Sequence, residues 1–171
     1  MAESFERLIP YVGQALGLAD DKLLAAFRPA IATDLPGILD LRRAVTPDMW
    51  WDDEAFVRWR YFRRMAPDGT VPYWVFENGG TVSGACGLEP VTLVIDGRPV
   101  SAVRTLDIMV HPAMDGRGLG AFMNLMLFRR FPIAIVTGCN DSSRNLISRM
   151  FQHTADLVFW KTVMAGSAAA G

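Results

Sequence analysis

The chain has 171 residues, 51% of them hydrophobic and 20% charged, with a formal net charge of -1 at pH 7. That length and apolar content suit one globular domain with a core large enough to fold unaided. A charge so near zero excludes the basic field on which phosphate-neutralising nucleic-acid binders depend, so the expected ligand is small. No run of about 18 uninterrupted apolar residues occurs, so neither a membrane-spanning helix nor a membrane partner is expected. Cys86 and Cys139 have neither metal-ligand spacing nor a disulfide framework, and the N-terminus carries acids early and has no positive region ahead of an apolar core, unlike a signal peptide. A cytoplasmic protein without a bound metal is the expectation.

In residues 1–26, Phe5, Leu8, Ile9, Val12, Leu16 and Leu18 recur near helical spacing, with Gly17 near a break. This predicts a helical extension that covers part of the domain surface. The pattern then changes. FRPAIA (27–32) predicts a short strand, and TDLPGILDLRRAV (33–45) a helix that Thr33 or Asp34 caps, with Pro36 in its first turn. Residues 52–65 place acids first and arginines last, which complements a helix dipole and predicts a second helix.

Pro67, Asp68 and Gly69 form a turn, followed by a strand in PYWVFE (72–77) and a tight hairpin at Asn78-Gly79-Gly80. TVSGACGLEPVTLVI (81–95), the Asp96-Gly97 turn and RPVSAVRTLDIMV (98–110) extend this into an antiparallel meander. The last of these strands enters a loop containing Gly116, Gly118 and Gly120, and a helix over 118–130 opens straight out of that loop. Such a junction aims unpaired backbone N–H groups and the positive end of a helix dipole at one point, where an anion, above all a phosphate, is held. FPIAIVTG (131–138) reads as a buried strand, parallel to the one before it because a helix intervenes. A helix over 142–151, a strand over 157–163 and a flexible tail complete the chain.

This order of elements resembles the GNAT superfamily of acyl-CoA-dependent N-acyltransferases over about 27–163. The likeness rests on DIMVHPAMDGRGLGAF, which is similar to that family's coenzyme A signature: a strand ending Val-x-Pro, then Q/R-x-x-G-x-G/A opening a helix. The signature positions are Asp115, Gly116, Arg117, Gly118, Leu119 and Gly120. Asp115 departs from the usual Arg or Gln, and Arg117 supplies compensating charge in the same loop.

The resemblance implies an α/β (α+β) fold: a mixed, mainly antiparallel sheet of about six or seven strands flanked by helices, with a splayed parallel strand pair at the cofactor site. The domain would span 27–166, after the 1–26 extension and before a 167–171 tail. Acetyl-CoA or another acyl-CoA is the implied co-substrate, with backbone amides from Gly116 to Ala121 on its pyrophosphate. Ile108, Met109 and Val110 would pair with the pantetheine arm as though it were a strand, and Asn140 would lie near it. The implied partner is a small amine or amino-acid-like acceptor, and a homodimer is compatible with the sequence.

Acyl transfer to an amine needs a deprotonated nucleophile, a polarised thioester carbonyl and a proton for the leaving thiolate. The Val110 N–H is a candidate oxyanion donor, and Asp107 and Glu89, on the two long strands, are candidate bases. Asp107 has the stronger case, because an acid inside LDIMV is costly unless paired or used; the alternative is a pairing with Arg104 or another arginine. The family's usual general acid is a Tyr in N-x-x-S-x-x-L-Y-x-x-x-G-F. Here NDSSRNLISRMFQ places Ile147 at that position, and Tyr11, Tyr61 and Tyr73 all lie upstream. A second reading is therefore a coenzyme A binding or sensing module that has lost transfer chemistry.

Trp50 and Trp51 are adjacent and cannot both face one helical stripe, which leaves one to face a substrate. Phe56, Trp59, Tyr61 and Phe62 default to core packing, and Arg58, Arg60, Arg63 and Arg64 to a solvated face from which one could meet an acidic substrate group. His111, before a proline, is expected to be exposed and structural. A P-loop reading fails, since no G-x-x-x-x-G-K-[ST] occurs.

Overall fold

A computed structural model describes residues 2–47, 53–64, 71–131 and 133–136, all within one compact unit over 1–139. The helices are α1 (Ala2–Leu16), α2 (Asp20–Ala26), α3 (Leu35–Val45), α4 (Glu54–Arg60) and α5 (Leu119–Arg130). The strands are β1 (Phe27–Pro29), β2 (Tyr73–Asn78), β3 (Thr81–Ile95), β4 (Arg98–Val110) and β5 (Ala134–Val136), side by side in chain order. Neighbours are antiparallel except β4 and β5, which run parallel from Val103↔Ala134 to Thr105↔Val136. The fold is thus the expected mixed, mainly antiparallel sheet with a parallel pair at the predicted place. The segments 137–138, 142–151, 157–163 and 167–171 lie outside the described residues. No described helix is long and apolar enough to cross a membrane.

Turn chemistry sets the meander. Gly79 and Gly80 (φ +60° and +83°) close the first hairpin and Asp96 and Gly97 (φ +49° and +75°) the second, a left-handed pair that matches strand twist. Each sheet face then buries its own helices. Leu35, Ile38 and Leu41 of α3 and Val57 of α4 pack with Tyr73, Val75, Ala85 and Met109. On the other face Val12 of α1, Leu23 of α2 and Phe122, Met123 and Leu127 of α5 pack with Phe27, Phe76, Leu88 and Val103.

Val103 and Met109 are an even number of residues apart on β4 yet face opposite layers. The cause is a β-bulge: Leu106 pairs with Gly87 and Met109 with Ala85, so Asp107 and Ile108 together oppose Cys86. Asp107 carries the extra residue's geometry, with φ +48°. The hydrophobic pattern predicts one straight strand here and does not register the inversion.

The helical pattern of residues 1–26 breaks at Gly17 (φ +68°), as predicted, where Leu18 N–H donates back to Gly13 O at 2.8 Å and separates α1 from α2. Other departures are local. The strand predicted over 27–32 stops at Pro29, because the Asp34 carboxylate accepts the Ile31 N–H at 2.8 Å and closes a 3-10 turn. Asp34 therefore makes no capping bond to α3; its two oxygens also take Arg28 at 2.7 and 2.9 Å. The helix predicted over 52–65 is capped by Asp53, which accepts from Ala55 N–H at 2.7 Å, and ends at Arg60. Beyond it the buried Tyr61 turns inward and a 3-10 turn, Phe62–Arg64, follows.

Burial pushes the Asp34 carboxyl up, but the Arg28 and Ile31 donors outweigh it and hold the group below its ordinary value. Stability from this group is thus present above the unfolded pKa and lost as pH falls through the folded one. Asp34→Asn should cost about 1.5–3 kcal/mol at neutral pH in denaturant melts, and the gap to the parent should close below about pH 3.9. A Cβ at Gly37, inside α3, would lie 2.8 Å from Val82 Cγ2 and 3.3 Å from Val82 Cβ. Gly37→Ala should therefore destabilise by about 1–3 kcal/mol, where an open helical site would gain stability from the same change.

Candidate functional site

At the end of β4 the His111 N–H donates to Ser83 O of β3 at 2.9 Å, and its Nδ1 accepts the Ala113 N–H at 3.1 Å to start a 3-10 turn. His111 is therefore structural, as expected. Gly116 and Gly118 follow with φ +71° and +77°, and α5 begins at Leu119. Its N-cap residue, Gly118, has no side chain, so no side-chain cap takes the first-turn N–H groups. Donors of this kind, with a helix dipole behind them, can hold an anion.

The loop's own charges are turned elsewhere. Asp115 Oδ1 accepts the Gly116 N–H at 2.9 Å, which withdraws that amide from the predicted set. Arg117 Nη1 donates to Ala15 O of α1 at 3.4 Å, and Tyr11 O–H donates to Gly116 O at 3.4 Å. A Cβ at Gly118 would lie 3.0 Å from Val12 and 3.1 Å from the Tyr11 ring, whereas one at Gly120 would meet only Val110 Cγ2, at 3.6 Å. The glycine at 118 thus answers to α1 and to its own backbone conformation, and the one at 120 to open space.

β5 pairs with β4 only as far as Thr105, while β3 pairs with β4 up to Val110. Residues 106–110 consequently have one strand edge without a partner strand among the described residues. Because His111 N–H points to β3, alternation along the strand sends the Val110 N–H out of that other edge. Ile108 and Val110 pack toward α5 and Met109 toward α3.

The bulge brings Asp107 onto a buried polar cluster. Its Oδ2 accepts Tyr61 O–H at 2.6 Å and Arg42 Nη1 at 3.4 Å, and Arg42 Nη1 also donates to Tyr73 Oη at 3.4 Å. Arg42 is 1% exposed and the Asp107 side chain 37%, so the carboxylate bridges a buried cation and the solvent-facing side. Burial, reinforced by the Asp107 charge, raises the Tyr61 hydroxyl far above its usual range, and burial does the same for Tyr73 against the opposing pull of Arg42. Both phenols stay protonated. Burial works against the Arg42 charge, yet Tyr73 and Asp107 raise its pKa overall. Arg104 pairs with Glu89, through Nε at 2.7 Å and through Nη2, so the arginine that pairs with Asp107, the alternative to a role as base, is Arg42.

Beside this cluster lies a pocket of about 250 Å³. Trp59, Tyr61, Pro72, Leu88 and Leu106 form its apolar walls, and Arg60, Arg63 and Glu89 its polar part. Trp59 is 55% exposed, so it does not join the core as its spacing predicts. The Arg60 guanidinium lies over the Phe56 and Tyr61 rings, 6.0 and 5.7 Å from their centroids.

Among the candidate residues, the structure brings Asp107 and Glu89 to neighbouring strands and 115–121 to one loop. Trp50, Trp51, Asn140, Cys139 and Ile147 lie outside the described residues. Tyr61, Arg42 and Tyr73 did not stand out in the sequence. For Arg42 a signal exists: it continues the spacing of Leu35, Ile38 and Leu39, an apolar stripe that buries whatever stands on it.

No protein-family profile matches the chain, and no curated protein matches it significantly. Solved structures do. An acetyltransferase from Trypanosoma brucei superposes with TM-score 0.56 at 19% identity, covering 80% of this chain and 98% of its own. A GCN5-related N-acetyltransferase from Ralstonia eutropha JMP134 gives TM-score 0.52 at 23% identity, covering 79% and 97%. A predicted acetyltransferase with acetyl-CoA from Clostridium acetobutylicum gives TM-score 0.55 at 14% identity, covering 79% and 94%. At these identities the likeness is one of architecture, the mixed sheet with its parallel pair. The chain has the fold of the GCN5-related N-acetyltransferases.

Proposed function

We propose that this chain is a GNAT-superfamily N-acyltransferase that moves an acetyl group from acetyl-CoA to a small amine or amino-acid-like acceptor by direct attack. The observation that carries this reading is the first turn of α5, which has no side-chain cap and lies just past the edge of β4 that has no partner strand among the described residues. In this scheme the N–H groups of 119–121 hold the pyrophosphate, and Ile108, Met109 and Val110 pair with the pantetheine. Asn140 assists that arm, and Trp50 and Trp51 serve the acceptor. The acetyl-CoA in the Clostridium acetobutylicum structure supports the choice of co-substrate. The activity belongs to 27–166, with 1–26 as its extension and 167–171 as a tail, in a cytoplasmic protein.

The amine attacks the thioester carbon, a C–N bond forms as the Val110 N–H steadies the oxyanion, and the C–S bond then breaks to release coenzyme A thiolate. Asp107 takes the proton of the attacking amine, directly or through a water. Tyr61 and Arg42 both donate to Oδ2 and hold the carboxylate in place, so Oδ1 is the oxygen for that task. Glu89, which pairs with Arg104, is the alternative base. Asp115 in the signature and Ile147 in the tyrosine position favour the second reading, a coenzyme A binding module without transfer.

Incubation with acetyl-CoA and a panel of amines should release free thiol; binding without turnover on any amine would establish the module instead, and absence of binding would overturn both. Gly120→Asp is the direct probe of the loop. An acid in the first turn of a helix is favourable to the fold, and Gly120 has room for a side chain. Thermal stability should hold while acetyl-CoA affinity falls by at least about tenfold, or 1.4 kcal/mol; unchanged affinity would move the pyrophosphate elsewhere. Asp107→Asn should lower kcat by about a hundredfold or more with acetyl-CoA affinity retained, and full turnover would remove Asp107 as the base.

A further inference from the structure

We infer that the pocket beside Asp107 selects an amine that also bears a carboxylate, on a compact apolar or aromatic body. This rests on the acyltransferase reading, and it sorts amino acids from plain amines and polyamines.

The volume, about 250 Å³, suits a small molecule. Charge is the selective feature. Glu89 is the pocket's only carboxylate among the described residues, and Arg104 already neutralises it. Arg60 and Arg63 line the same space, and neither has a carboxylate partner among the described residues; by contrast Arg58 on the same helix is paired with Glu54 at 2.6 Å. Among its described residues the pocket therefore carries an excess of positive charge facing an apolar wall. A guanidinium fork fits a planar carboxylate, and Arg60 is held over two aromatic rings, which orients it before a ligand arrives. With the substrate's amine on Asp107, a second cation entering here would face Arg60 and Arg63, and the pocket's one carboxylate among the described residues, Glu89, is already paired with Arg104.

The pocket also adjoins the reacting group. Tyr61 is at once a wall of the pocket and the donor to Asp107 at 2.6 Å, and Leu106 precedes Asp107 on β4. An acceptor anchored by its carboxylate on Arg60 and Arg63, with its side chain against Trp59, leaves its amine to meet Asp107.

The test uses matched acid and amide pairs (phenylalanine and phenylalaninamide, leucine and leucinamide, alanine and alaninamide) and the variants Arg63→Gln and Arg60→Gln. The parent should acetylate at least one acid with kcat/KM about tenfold or more above its amide, the size of one charge-assisted hydrogen bond. Each variant should raise KM for the acid more than for the amide and so erase the preference, with an unaltered melting curve to show intact folding. Amides equal to or better than acids in every pair, or a preference that survives Arg60→Gln combined with Arg63→Gln, would overturn the inference. If no amine is acetylated although acetyl-CoA binds, calorimetric titration of the same pairs into the acetyl-CoA complex decides: acid binding that is lost in the variants upholds the pocket while transfer falls, and equal or absent binding of acid and amide overturns the pocket as well.

Discussion

Asp107 holds a left-handed backbone conformation in mid-strand, and its carboxylate meets Tyr61 from the end of α4 and Arg42 from α3. A buried arginine is costly without a counter-charge, and a left-handed non-glycine residue persists only where its surroundings hold it. Each solves the other's problem here. The bulge delivers the carboxylate, and the carboxylate and the Tyr73 hydroxyl both accept from Arg42 Nη1. The same extra residue hands β4 from one core to the other, so that Met109 packs under α3 while Ile108 and Val110 pack under α5. Layer packing and the placement of the proposed base thus share one backbone irregularity.

The glycine loop solves an opposite problem, that of an acid beside a proposed anion site. Asp115 turns its carboxylate onto the Gly116 N–H in the same loop, and Gly118, having no side chain, leaves the α5 amides to an outside acceptor. The positive partial charge at that helix end is worth most to a ligand when nothing internal competes for it.

Much of this was legible in the sequence because it is encoded locally. The Gly79-Gly80 and Asp96-Gly97 turns fix the meander, and one glycine loop between a strand and a helix fixes the parallel pair that follows. Asp107 drew notice because an acid is out of place in an apolar run. Its partners did not, since Tyr61 and Arg42 lie 46 and 65 residues away and nothing local pairs them. Arg104, nearest in sequence, goes instead across the hairpin to Glu89. The bulge was hidden for a related reason: LDIMV is apolar enough to suit either face, so alternation gives no sign of where the extra residue falls. Trp59 shows the reverse case, a residue whose helical spacing predicts burial but whose helix stops one residue later, at Arg60.

The contact between α1 and the glycine loop bears on how the site comes into being. Tyr11 and Gly116 are 105 residues apart, and Arg117 reaches Ala15 across a similar span. Contacts of such separation form late, because a long loop must close before they can reward the chain. The strand–loop–helix unit looks self-contained on paper, yet its glycine corner is finished by side chains from the far end of the polypeptide. Moved alone onto another sheet it would carry the signature and lose the packing that shapes it: the motif is portable as a string of letters and not as an object.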